Sequence, residues 1–143
     1  MLFGRRKSVV KRILIVEDEP LTAFDNESML RDCGYEIVAT VDDFDRALEI
    51  IKVEQIDLIL SDVRLNSQET GVDLARAAKA KGIPTLFATG NPFAEACDIA
   101  VGCLSKPYSD LQLKSAIECV DKHLQRTKVK PSKGLELYPH LDD

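Results

Sequence analysis

The sequence has no long apolar run, and it lacks the residue groupings that build zinc sites or disulfides. No stretch approaches the roughly 20 apolar residues needed to span a bilayer, which argues against membrane insertion. The first twelve residues carry Arg5, Arg6, Lys7, Lys11 and Arg12 and no acid. They lack the apolar segment and small-residue cleavage site of a signal peptide. There are two histidines, His123 and His140, and four cysteines, Cys33, Cys97, Cys103 and Cys119, without CxxC spacing. That supply speaks against a zinc centre and suits free thiols in a reducing compartment. Internal repeats and low-complexity tracts are also missing. The expectation is a soluble cytoplasmic protein.

Charge excludes a further class. The net charge is −5 and the first twelve residues hold five basic groups, so the remainder carries −10. An acidic body argues against nucleic-acid binding, which depends on neutralising phosphates. The basic start, residues 1–10, reads as a solvated extension.

The 143 residues are 45% apolar, enough for one domain with a proper core. Five apolar runs alternate with helical patterns, which predicts an α/β fold around a parallel sheet. The expected strands are 12–16, 35–40, 57–61, 84–88 and 102–105. Pro20 suits a helix start, where its missing N–H is harmless, and Ala23, Leu30 and Cys33 fall on one face of that helix, which Gly34 stops. Asp42 or Asp43 caps a second helix with Phe44, Ala47, Leu48 and Ile51 at i, i+3, i+4 and i+7. An alanine-rich third helix spans about 72–81. A last helix starts near Ser109 or Asp110, with Leu113, Ala116, Ile117, Val120 and Leu124 on one face. Gly90 to Gly102 is a weak stretch, expected as one turn or an irregular loop. Residues 11–128 form the domain, and 129–143 read as a polar tail.

The most informative segment is Leu58-Ile59-Leu60-Ser61-Asp62, an apolar run that ends in an acid and is followed by turn-forming residues. In open α/β sheets ligands bind beyond the carboxyl ends of the strands. The residues leaving strands one, three, four and five are Glu17 with Asp18, then Asp62, Thr89 and Lys106. Three carboxylates at one point repel unless a cation joins them. A hard divalent ion with oxygen ligands, Mg²⁺, answers that need, and with Lys106 the charges balance. Taken singly, each residue also has a bland reading: a helix-dipole acid, a loop opener, a turn hydroxyl, a solvated lysine.

Together these motifs resemble a two-component response-regulator receiver domain over about Lys11 to Lys128. The matching features are Glu17-Asp18 before Pro20, Asp62 in Leu60-Ser61-Asp62, Thr89, and Lys106-Pro107. The resemblance implies a doubly wound five-stranded parallel sheet, flavodoxin-like, of order 2-1-3-4-5. Phe87-Ala88-Thr89-Gly90 also resembles a subfamily of stand-alone alphaproteobacterial receivers, the FATGUY group, named for a Phe-Ala-Thr-Gly-apolar-Tyr motif and having a short or degraded fourth helix. Asn91-Pro92 departs from its last two positions.

The resemblance implies that Asp62 accepts a phosphoryl group, that Glu17, Asp18, Asp62 and the backbone carbonyl of Arg64 hold Mg²⁺, and that Thr89 and Lys106 stabilise the phosphoryl oxygens. A sensor histidine kinase or a histidine phosphotransfer protein would be the donor, with a downstream protein partner or a role as phosphate sink. Beyond self-phosphorylation and self-dephosphorylation, no enzymatic activity is implied. The family's aromatic residue three positions before the lysine is replaced here by Cys103. The switch is therefore expected around Gly90, Asn91, Pro92, Cys103 and Pro107.

Two alternatives come from other classes. A haloacid-dehalogenase-type aspartyl-phosphate phosphatase or phosphotransferase needs an acid two residues after its nucleophile, and Arg64 stands there. A flavodoxin-like electron carrier needs a glycine- and hydroxyl-rich phosphate loop, and Glu17-Asp18-Glu19 would repel phosphate.

Overall fold

A computed structural model describes residues 7–65, 70–90 and 98–140. Six strands, β1 (Arg12–Val16), β2 (Glu36–Val41), β3 (Leu58–Asp62), β4 (Thr85–Thr89), β5 (Gly102–Ser105) and β6 (Leu135–Leu137), form one sheet of order β2-β1-β3-β4-β5-β6. The first five run parallel, and β6 joins β5 antiparallel. The doubly wound sheet and its order are as expected, but the strand count is not. Leu135-Glu136-Leu137, read as part of a polar tail, adds the sixth strand.

Alternation along each strand sends side chains to opposite faces. Ile13, Ile15, Leu58, Leu60, Leu86 and Leu104 pack on one side with Leu113, Ala116, Ile117 and Val120 of α4 (Asp110–Leu124) and Leu30 of α1 (Pro20–Asp32). Leu14, Val16 and Ile59 pack on the other with Ala47 and Ile51 of α2 (Phe44–Val53) and Leu74 and Ala78 of α3 (Thr70–Ala80). Strands buried on both faces explain why the sequence shows continuous apolar runs there. Cys33, expected on the buried face of α1, is instead exposed just past the helix end.

The helix starts are chemically specified. Glu19 accepts from the Thr22 N–H at 3.0 Å, with Pro20 in the first turn. Asp43 accepts from the Arg46 N–H at 2.8 Å. Ser109 and Gln112 form a reciprocal capping box, which satisfies two otherwise orphaned donors. Helix α3 begins against the end of β3. The Gly71 N–H donates to the Val63 carbonyl at 3.0 Å, and a Cβ on Gly71 would lie 2.1 Å from the Asp62 carbonyl oxygen. Only glycine admits that approach.

The stretch between β4 and β5 falls largely at 91–97, so the expected short or degraded helix, with Asn91 and Pro92, lies outside the described residues. Among the described residues no helix is long and apolar enough to cross a membrane.

Candidate functional site

Parallel strands carry their last residues to one edge, and the sequence places acids and a lysine there. Asp62 ends β3 and is 7% exposed; Glu17, one residue past β1, is 5% exposed. The Glu17 N–H donates to the Val41 carbonyl at 2.9 Å, which fixes the turn, and Glu17 Oε2 accepts from the Glu19 N–H at 3.0 Å. Asp18 is more open to solvent. One carboxylate oxygen from each of Glu17, Asp18 and Asp62 lies within 4.8 Å of the others.

Lys106 follows β5, and its main chain is tied to β4 by an N–H bond to the Thr89 carbonyl at 2.9 Å. Its Nζ reaches Asp62 Oδ1 at 2.5 Å and Glu17 Oε1 at 3.0 Å. Thr89 is half-buried as the last residue of β4, and Arg64 is exposed two residues after Asp62. Four of the expected residues, Glu17, Asp18, Asp62 and Lys106, are thus gathered at one point, with Thr89 and the Arg64 backbone along the same edge. Gly90 and Pro107 lie exposed at its rim, the Lys106–Pro107 peptide being cis, whereas Cys103 is 2% exposed on the sheet face.

The electrostatics follow from burial and charge repulsion. Burial, then the neighbouring Glu17, pushes the Asp62 carboxyl up to about 7, against the opposing pull of Lys106. Burial also disfavours ionised Glu17, but hydrogen bonds with Asp62, Lys106 and the Glu19 backbone outweigh it and leave Glu17 below its ordinary value. Burial opposes the Lys106 charge, yet contact with Asp62 and Glu17 pushes it up to about 12. Two close carboxylates therefore share one proton when no other cation joins them. The donor set suits Mg²⁺: the gathered side-chain donors are carboxylate oxygens, and among the described residues these acids outnumber the Lys106 ammonium that faces them.

Two residues near the site escaped sequence reasoning. Asn26, 5% exposed on α1, donates to the Tyr108 hydroxyl at 2.9 Å and supports the turn that follows Lys106. The signal was present: Asn26 falls between Ala23 and Leu30 on an apolar face, where an amide needs a partner.

Comparison with known proteins gives the chain its relatives. The family profile described as "Response regulator receiver domain" matches residues 13–118. The chain is similar to the transcriptional regulatory protein PdtaR of Mycobacterium tuberculosis, 36% identical over 117 residues. That alignment covers 78% of this chain and 57% of the relative, so the chain spans little more than half of that protein's length. A CheY-like receiver domain protein from Methanospirillum hungatei JF-1 superimposes with a TM-score of 0.71 at 26% identity, covering 82% of this chain and 98% of that one. The receiver domain of the sensor histidine kinase PA1611 from Pseudomonas aeruginosa PAO1 does so with a TM-score of 0.65 at 26% identity, covering 76% and 95%. That structure has a magnesium ion coordinated in its active-site cleft.

Proposed function

The chain belongs to the response regulator receiver domain family, and from that premise we propose that it is the phosphoacceptor of a two-component phosphorelay, with Asp62 as the accepting residue. The observation that carries this reading is the position of Lys106 Nζ, 2.5 Å from Asp62 Oδ1 and 3.0 Å from Glu17 Oε1. A buried carboxylate held by an ammonium, beside two further acids, suits attack on a phosphorus ringed by negative oxygens.

In the transfer, an Asp62 oxygen bonds to phosphorus while the bond from phosphorus to the donor's imidazole nitrogen breaks, and the released imidazole is reprotonated. Lys106 moves from pairing carboxylates to pairing the arriving phosphoryl oxygens, and the Thr89 hydroxyl donates to one of them. Glu17, Asp18, Asp62 and the Arg64 carbonyl are the proposed ligands of Mg²⁺, which when bound supplies positive charge to offset that of the transferring group. Phosphorylation leaves about −1.5 to −2 charges on Asp62, and attraction between that charge, Thr89 and Lys106 is the proposed switching force.

The donor is a histidine kinase or histidine phosphotransfer protein in the cytoplasm. The output is a protein partner or phosphate flux, as suits a receiver of the FATGUY type. Residues 11–128 are the proposed functional unit, and Phe87-Ala88-Thr89-Gly90 supports the subfamily. Arg64, two residues after Asp62, disfavours an aspartyl phosphatase, which needs a general acid there.

The metal part is tested by titrating Mg²⁺ and following amide NMR shifts. Asp18→Asn should weaken binding by about tenfold, because repelling carboxylates are what hold the ion. Equal affinity in the two proteins would remove Asp18 from the site.

A further inference from the structure

The tail strand is held more specifically than a three-residue strand needs. Beyond the β5–β6 ladder, the Ser105 N–H donates to the Gly134 carbonyl and the Tyr138 N–H to the Val101 carbonyl, both at 2.9 Å. Tyr138 then turns inward and is 5% exposed, in a cluster with Val63, Ala75, Phe87, Ile99 and Cys103. Burial, then Glu136, pushes the neighbouring Cys103 thiol up to about 11, against the opposing pull of Tyr138. The His123 ring meets the Tyr138 carbonyl at 2.7 Å and stacks on His140 at 4.2 Å between centroids. The backbones are so close that a Cβ on Gly102 would lie 2.5 Å from the Glu136 carbonyl oxygen.

Three walls of the Tyr138 socket are chain neighbours of the candidate site. Val63 directly follows Asp62. Phe87 precedes Thr89 by two residues on the same strand face. Cys103 precedes Lys106 by three. We propose that residues 135–140 are a latch released by phosphorylation, with Tyr138 seated on the face of β4 and β5 while Asp62 is bare and leaving it when Thr89 and Lys106 are drawn to the phosphoryl group. This rests on the reading of Asp62 as phosphoacceptor. Interiors are close-packed, so a socket fitted to one ring does not follow small wall movements smoothly. Once the ring is loosened, the tail keeps only a three-residue strand, its two flanking backbone bonds and the His123 contacts. Its release bares the edge of β5, a row of unpaired backbone groups.

The test uses the full chain with Mg²⁺, with and without beryllofluoride as phosphoryl mimic, and follows amide hydrogen exchange by NMR. Exchange at Tyr138 and Ser105, whose N–H groups are bonded across the tail contact, should rise by about tenfold with the mimic. Resonance shifts at Thr89 and Lys106 with unchanged exchange at Tyr138 and Ser105 overturn the latch and leave the phosphoacceptor reading standing. No shifts at Thr89, Lys106 or Asp62 overturn both. A second arm uses reciprocity: Gly102→Ala pushes the tail strand away, so it should tighten beryllofluoride binding about fivefold. Unchanged or weaker affinity in that variant overturns the latch independently.

Discussion

Replacing Asp62 with Asn should flatten the pH dependence of stability in the metal-free protein. Burial and Glu17 raise the Asp62 carboxyl from 3.8 to about 7 in the folded chain. A group whose folded value is raised contributes stability that is complete below its unfolded value, near 4. That contribution is lost as pH rises through about 7. Ionising Asp62 in the fold therefore costs on the order of 4 kcal/mol at most. Glu17, held below its ordinary value by Asp62, Lys106 and the Glu19 backbone against the effect of burial, works in the opposite sense and reduces the net swing of the pair. Asn keeps the shape and removes the titration. Urea unfolding in EDTA at pH 5, 6, 7 and 8 should show the parent losing stability with rising pH relative to Asp62→Asn, and the variant should be the more stable at pH 8. Added Mg²⁺ should restore the parent at pH 8 by binding the folded state alone. Parallel pH profiles for the two proteins would refute the reasoning, because they would mean that Asp62 ionises in the fold as easily as in the open chain.

Other perturbations probe the frame around the site. Gly71→Ala places a Cβ against the Asp62 and Val63 carbonyl oxygens, 2.1 and 2.6 Å away, and should cost about 1–3 kcal/mol in thermal unfolding; an unchanged midpoint would mean that α3 can retreat from β3 freely. Asp121, 7% exposed, accepts from Ser8 Oγ at 2.6 Å and from the Val9 and Val10 N–H groups at 3.1 and 2.9 Å. Asp121→Ala should therefore cost about 2 kcal/mol and raise amide exchange at Val9 and Val10, and retained protection there would assign the hold on this segment to other contacts.

How legible all this was depended on the kind of strand. The runs Arg12–Val16 and Leu58–Asp62 are buried on both faces, so they stand out as continuous apolar stretches, and the acids that end them mark the functional edge. Helix α4 was readable because its apolar stripe and the Ser109 cap agree. Boundaries slipped by a residue or two where the last strand residue is polar, as at Asp62 and Thr89. Strand β6 was hidden for a physical reason. An antiparallel edge strand borrows its pairing from β5, so three residues between Gly134 and Pro139 suffice, and Leu135-Glu136-Leu137 shows no run to detect. Cys103 was read as a missing aromatic group, and sequence alone had no means of bringing Tyr138, 35 positions later, into contact with it. The Asp62–Lys106 contact was different, since parallel topology alone aligns the ends of β3 and β5 around β4.

The central claim is that Asp62 accepts phosphate, and the most direct measurement is where the phosphoryl group goes. The protein is incubated with Mg²⁺ and a phosphorylated histidine donor, trapped with borohydride, which reduces an acyl phosphate to the alcohol, digested, and mapped by mass spectrometry. The account predicts reduction at Asp62 alone, dependent on Mg²⁺ and lost in Asp62→Asn. Reduction at another carboxylate, or labelling that persists in Asp62→Asn, would contradict it.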